Sequence, residues 1–455
     1  MTRIVRAQIL HTPRDPFAAG AADALEAFSD GGLAYGPHGR IVACGPFADV
    51  RAAHPDAAVT DASDAVLVPG LVDLHVHYPQ IAVIGAMGMT LLEWLATRTL
   101  PEEARLADTA YAAEVARTFV SGLGRNGTTT ALVFGAHFAD AQETLFAEAE
   151  RAGLRITSGL VVSDRNLMRE LHVTPEAAYA QSRALIERWH GRGRLRYAVT
   201  PRFSLSCTEA MLEVCGTLVG AADGLFLTSH LNENPAEIQA VAELFPWSRD
   251  YLDTYERFGL VGRRSVFAHD VHVTGSELQR LAAADASIAH CPSSNAFLAS
   301  GIFPMKRHCA AGVRFGLGTD VGAGTGLSLF KEGLMAYHVQ MVREGGELIG
   351  PAHLLWLATM AGADALGLAD EIGDLSPGRS ADYVLLRPPA GGTLAAVLRN
   401  SPSAEATLGA LFTLAREECV AEVRVAGERV FAADRAMPTA PSAARFRAPP
   451  APSRR

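Results

Sequence analysis

Residues 69–80 read Pro69-Gly70-Leu71-Val72-Asp73-Leu74-His75-Val76-His77-Tyr78-Pro79-Gln80. An apolar run from Val66 to Leu74 ends in two histidines, His75 and His77, two residues apart. Side chains on a strand alternate between its faces, so both imidazoles leave the same face at the strand's C-terminal end. Neutral imidazole is a good ligand for zinc or iron. The pair therefore reads as half of a metal site. Two histidines packed there for other reasons are the competing reading, and the rest of the chain has to decide.

Outward from this segment, short apolar or β-branched runs alternate with longer amphipathic stretches as far as about residue 365. That alternation is the βαβα signature of a parallel sheet. Eight strands are expected, at Val66–Leu74, Thr129–Gly135, Arg155–Val162, Leu195–Thr200, Leu225–His230, Ser265–His269, Ala286–His290 and Arg314–Asp320. Helices are expected at Ala107–Arg125, Asp140–Ala152, Pro175–His190, Glu209–Val219, Pro235–Leu244 and Gly275–Ala284. The count predicts an α/β chain built on a (β/α)8, TIM-like barrel. A doubly wound sheet is the alternative, but no Gly-rich phosphate fingerprint follows the first strand.

The flanks differ. Short alternating segments at Ile4–Leu10, Gly32–Tyr35 and Ile41–Cys44 precede the barrel, and Tyr383–Leu386 and Val423–Phe431 follow it. They predict a small β-sandwich built jointly by the N- and C-terminal segments. The expected division is 1–68 for the first part of the sandwich, 69–369 for the barrel and 370–435 for the second part. The Pro/Ala/Ser/Arg-rich stretch 436–455 is expected to be a disordered tail.

Apolar residues make up 49% and charged residues 20% of the chain, the balance of a globular enzyme and not of a disordered protein. Net charge is −9, which argues against a nucleic-acid partner. No signal-like N-terminus and no run of 18 apolar residues is present, so a cytoplasmic protein without a membrane association is expected. Six scattered cysteines, without a Cys-x-x-Cys pair, read as reduced core residues.

Chemistry in such a barrel sits at the C-terminal ends of the strands. The first strand ends in His75 and His77, the fifth in His230, the sixth in His269 and the eighth in Asp320. Three histidines and an aspartate suit zinc, or ferrous iron as the competitor, with one position open to water. Glu233, three residues after His230, is a natural proton shuttle. It reads equally as a cap or first-turn acid for the helix opening at Pro235.

The set His75-x-His77, His230, His269 and Asp320 resembles the amidohydrolase superfamily. Binuclear members bridge two metals with a carbamylated lysine or a carboxylate at strand 4. The only lysines here are Lys306 and Lys331, and strand 4 runs into Thr200-Pro201-Arg202, so a single metal is expected. The resemblance narrows to the guanine deaminase family over nearly the whole chain. It rests on His75-Val-His-Tyr-Pro-Gln80, Leu91-Leu-Glu-Trp-Leu95 with Pro101-Glu-Glu103, and Pro201-Arg-Phe-Ser-Leu-Ser-Cys207. It continues in His230-Leu-Asn-Glu-Asn234, Ala289-His-Cys-Pro-Ser-Ser-Asn295 and Gly316-Leu-Gly-Thr-Asp-Val-Gly322. Departures at Leu231-Asn232, Asp270-Val271, Ala323 and Gly326-Leu-Ser328 remove no ligand but leave substrate details open.

The resemblance implies a zinc enzyme, with His75, His77, His230 and Asp320 as metal ligands, acting on guanine to give xanthine and ammonia. Water activated by the metal attacks C2, Asp320 takes its proton, Glu233 protonates N3 and His269 hydrogen-bonds the attacking water. Gln80, Arg202 and Phe203 are the implied ring-binding residues, joined by Glu233 and His269. Cys207, His290 and Asn295 are expected to support or pack. Family members are often homodimers, which sets the same expectation here. The other readings are a related aminohydrolase acting on 8-oxoguanine, a pterin or an amino- or chlorotriazine, and a non-catalytic scaffold. The scaffold reading is disfavoured because every ligand is present. A cytidine-deaminase fold is disfavoured too, since no His-x-Glu with Pro-Cys-x-x-Cys occurs.

Overall fold

The computed structural model describes residues 1–433; the tail expected at 436–455 lies outside them. The chain opens with β1 (Arg3–His11), β2 (Glu26–Tyr35), β3 (Ile41–Pro46) and β4 (Ala58–Pro69). It continues through β5 (Leu71–His77), β6 (Thr128–Phe134), β7 (Arg155–Gly159), the two-residue β8 (Val161–Val162) and β9 (Leu195–Pro201). Then come β10 (Phe226–Leu231), β11 (Ser265–His269), β12 (Ser287–His290) and β13 (Arg314–Leu317). The last strands are β14 (Tyr383–Leu386), β15 (Val420–Val425) and β16 (Glu428–Ala432).

Strands β5, β6, β7, β9, β10, β11, β12 and β13 pair in that order, each parallel to the next, with β8 paired to β9. The circle is closed beyond β13, where Asp320 N donates to His75 O (2.7 Å) and His77 N to Val321 O (3.0 Å). The expected (β/α)8 barrel is thus present. Its outer helices begin where the sequence provides caps. Asp108 accepts from Ala110 N and Tyr111 N at the head of Thr109–Arg125, and Thr174 and Thr208 cap Pro175–Trp189 and Glu209–Val219.

The expected first strand, Val66–Leu74, is two strands. Val66–Pro69 belongs to β4, which pairs with β14, whereas Leu71 onward pairs with β6. The break falls at Gly70, where a Cβ would lie 2.3 Å from Thr129 Oγ1, so the crossing from one sheet to the other needs a residue without one. Val423–Phe431 likewise divides into β15 and β16, because Ala426 and Gly427 both adopt positive φ (50° and 73°), the backbone of a tight hairpin turn.

The strands from both ends form one sheet in the order β16-β15-β14-β4-β1-β2-β3. It curls on itself. Tyr35 on β2 and Tyr383 on β14 are separated by two strands, yet their rings lie 6.3 Å apart. One face encloses Ile9, Leu33, Leu67, Tyr383 and Leu385, giving the terminal β module a core of its own. The alternate residues of β4 and β14, Val66, Val68, Val384 and Leu386, face the barrel's core instead. Arg155 on β7 fastens the module to the barrel, donating to Asp382 (2.7 Å), Glu371 (2.7 Å) and Ser380 (3.0 Å) while itself buried. Among the described residues no helix is long and apolar enough to cross a membrane.

Candidate active site

The polar residues at the C-terminal rim converge. One donor atom each from His75, His230, His269 and Asp320 lie within 4.8 Å of one another. His77 joins them, its Nε2 being 3.1 Å from His75 Nε2 and 3.2 Å from Asp320 Oδ1. His75 Nε2 is itself 3.2 Å from Asp320 Oδ1, and all five residues are buried. His269 and Asp320 have φ of 75° and 47°, a left-handed backbone that turns each side chain back over the barrel mouth as its strand ends.

Hydrogen bonds behind the rings aim their lone pairs inward. His230 Nδ1 donates to Arg202 O (2.6 Å) and His269 Nδ1 to Asn295 Oδ1 (2.9 Å), which leaves each Nε2 without a proton and turned toward the centre. Asn295, expected only to support, thus orients His269. His75 Nδ1 and His269 Nε2 are buried and have no hydrogen-bond partner among the described residues. Burial lowers the basicity of His75, His77 (to about 4) and His230, so these imidazoles are neutral. Burial works to raise Asp320, but hydrogen bonds with His75 and His77 outweigh it and hold the carboxyl well below its usual range. Neutral imidazoles closely packed around one carboxylate are the donor chemistry of a divalent-cation site.

Glu233 is freed from helix capping. Asn234 caps Pro235–Leu244, and Glu237 returns the bond by accepting from Asn234 N (3.3 Å) and Glu233 N (3.2 Å). The Glu233 side chain instead reaches the cluster, with Oε2 3.5 Å from His269 Nε2 and Oε1 accepting a long bond from Ser300 Oγ (3.5 Å). Burial, reinforced by the nearby Asp320 carboxylate, pushes its carboxyl well above the ordinary value.

These groups open onto one cavity, lined by His77, His230, Glu233, His269 and Asp320. Gln80, Arg202 and Phe203 line it as well, with Leu91, Trp94, Leu95 and Leu298 as apolar walls. Behind Gln80 and Arg202 sits Glu103, whose oxygens accept from Gln80 Nε2 (2.8 Å) and Arg202 Nη1 (2.9 and 2.7 Å). His137 Nε2 lies 3.2 Å from Glu103 Oε2. Burial would raise the Glu103 carboxyl, but the Arg202 charge and His137 outweigh it and keep it ionised.

Glu103, His137 and Asp73 have roles that strand-end counting misses. Asp73 is wholly buried in β5, and its carboxylate accepts from Thr319 Oγ1 (2.6 Å), Thr319 N (3.0 Å) and His75 N (3.1 Å). It ties the first barrel strand to the segment carrying Asp320. A carboxylate inside an otherwise apolar strand was the available signal.

An eight-stranded parallel barrel with such a cluster at its C-terminal rim is the frame of a metal-dependent hydrolase. Residues 66–430 match the amidohydrolase family, and residues 38–57 match an imidazolonepropionase-like composite domain of bacteria. The chain is 58% identical over 435 residues to the probable guanine deaminase of Deinococcus radiodurans, covering 94% of this chain and 99% of that one. It is 38% identical over 405 residues to guanine deaminase of Escherichia coli, covering 89% and 92%. Among solved structures, E. coli guanine deaminase superposes with a TM-score of 0.90 at 36% identity over 95% of this chain and 100% of that one. Guanine deaminase from Bradyrhizobium japonicum gives the same TM-score at 32% identity, again over 95% and 100%. The chain belongs to the amidohydrolase family, in its guanine deaminase-like branch of aminohydrolases.

Proposed function

We propose that this enzyme hydrolyses guanine to xanthine and ammonia, using one zinc ion, with ferrous iron as the alternative metal. His75, His77, His230 and Asp320 would hold the ion, which when bound supplies a water of lowered pKa. The remaining steps fall to the chain's own groups. Asp320 takes the proton from the water that attacks C2. Glu233 delivers a proton to ring N3, making C2 electrophilic, and a later proton transfer to the 2-amino group lets ammonia leave. His269, 3.8 Å from Asp320 and 3.5 Å from Glu233, is placed between the two proton carriers and hydrogen-bonds the attacking water. Gln80 and Arg202 bind the ring edge opposite Glu233, and Phe203 packs beside them.

The observation carrying this reading is that His77, His230, His269 and Asp320 of the clustered donor set, the Glu233 acid and the N–H donors of Gln80 and Arg202 line one cavity. The names and close similarity of the relatives support guanine as the substrate. The test incubates zinc-loaded protein with guanine, 8-oxoguanine, a pterin and an aminotriazine and measures ammonia. Release from guanine with at least tenfold higher kcat/KM than from the others is the expected result. Release from another heterocycle alone overturns the choice of substrate.

A further inference from the structure

Two layers build the part of the cavity wall that carries Gln80 and Arg202. Gln80 and Arg202 line the cavity; Glu103 and His137 lie behind them and do not reach it. The Gln80 amide cannot be turned over. Its Oε1 accepts from Gly322 N (3.0 Å) and its Nε2 donates to Glu103 Oε1 (2.8 Å), so a flip would set carbonyl against carboxylate and N–H against N–H. One N–H of that amide remains for the cavity. On Arg202, both bonds to Glu103 use Nη1, which leaves the Nη2 and Nε protons uncommitted by them. A carboxylate in the second layer thus consumes donors on its own side and leaves only donors in front.

We infer that Glu103 is a positioning residue that fixes Gln80 and Arg202 as a donor-only wall, and that this wall selects purines presenting an acceptor at C6. The inference deepens the purine reading above and rests on it. An oxo group meets two sources of N–H, whereas a 6-amino group turns its own donors on them. The discrimination is built from unpaired buried donors, the strong direction of hydrogen-bond specificity. Glu103 acts through its neighbours: it holds the orientation of both side chains and its charge balances the buried guanidinium.

The test is calorimetric titration of zinc-loaded protein with hypoxanthine and with unsubstituted purine, neither of which has a 2-amino group to lose. The native protein is expected to bind hypoxanthine at least about 30-fold more tightly. In Glu103→Gln, which keeps the shape and removes the charge, hypoxanthine affinity should fall about 30-fold while purine affinity changes by less than about threefold. Glu103→Asp, which retains the charge, should recover part of the discrimination, and it takes the place of Glu103→Gln if that variant does not fold. Equal losses for both ligands, or no loss for hypoxanthine, overturn the inference, as does a native protein that does not discriminate. Ammonia release from guanine is measured in parallel. Its absence with hypoxanthine discrimination intact would refute the deaminase reading alone.

Discussion

Asp73→Ala should weaken the whole protein and its metal centre together. The Asp73 side chain is fully buried; its Oδ1 accepts from Thr319 N and His75 N, and its Oδ2 from Thr319 Oγ1. Alanine removes both acceptor oxygens, whereas asparagine would keep an Oδ1 for the two backbone N–H groups and turn its NH2 to the Thr319 hydroxyl, which can accept. The Thr319 hydroxyl can rotate away; a backbone N–H cannot. At about 1–3 kcal/mol for each of the two backbone donors left without an acceptor, the loss is roughly 2–6 kcal/mol. Because the same bonds set the backbone of His75 and of the residue before Asp320, metal affinity should fall about 10- to 100-fold. Urea unfolding in excess zinc reads the first effect, and competition with a chromophoric chelator reads the second. The variant should unfold at lower urea and release zinc to a weaker chelator. A native midpoint together with native zinc affinity would show that this seam is not what closes the barrel at its last strand.

Three further outcomes are expected. Glu233→Gln should retain stoichiometric metal and lose about 10²- to 10⁴-fold in kcat, measured as ammonia release; turnover near native would remove Glu233 from the proton path. Arg155→Ala leaves buried Asp382 without its partner and should cost about 3–5 kcal/mol, seen as a lowered thermal midpoint, whereas cutting the exposed Arg387–Asp64 pair should cost about 1 kcal/mol or less. Glu332 is buried, and burial outweighs the bonds it accepts from Ser293 to push its carboxyl up to about 8. The unfolded chain ionises near 4.3, so the folded protein holds a proton that the unfolded chain gives up. Native stability is therefore lost as pH rises from about 4.5 toward 8. Glu332→Gln removes that loss, and the gap in thermal midpoint between variant and native should widen in favour of the variant from pH 5 to pH 8; a constant gap refutes the assignment.

The rim was legible because strands impose a period of two and end on recognisable turns. His75, His77, His230, His269 and Asp320 each mark the end of an apolar run, and the fold brings all five together. What hid from view lacks that period. Glu103 sits on a short helix, Leu100–Ala104, inside the long connection between β5 and β6, and its motif Pro101-Glu-Glu103 offers no local reason to prefer one glutamate. The structure separates them by partner: Glu102 bonds to Arg105 and Tyr111, Glu103 to Arg202 and Gln80. His137 stands past the end of β6, off any alternating face. Boundaries failed where one apolar run serves two sheets. Nothing in Val66–Leu74 but Pro69-Gly70 marks the passage from the terminal module into the barrel, because both sides need the same buried, β-branched residues.

That passage also explains why the terminal module and the site are linked. Gly70 N donates to Asp382 O, and three residues further on Asp73 grips the segment carrying Asp320. Asp382 also holds Arg155 and receives Ala426 N at the β15–β16 turn. The strand that bears His75 and His77 is therefore anchored at its start by the module and at its end by the barrel seam. Two histidines two residues apart on a strand fixed at both ends have little freedom to splay. The module serves the chemistry by holding β5 in register, without contributing a side chain to the cavity.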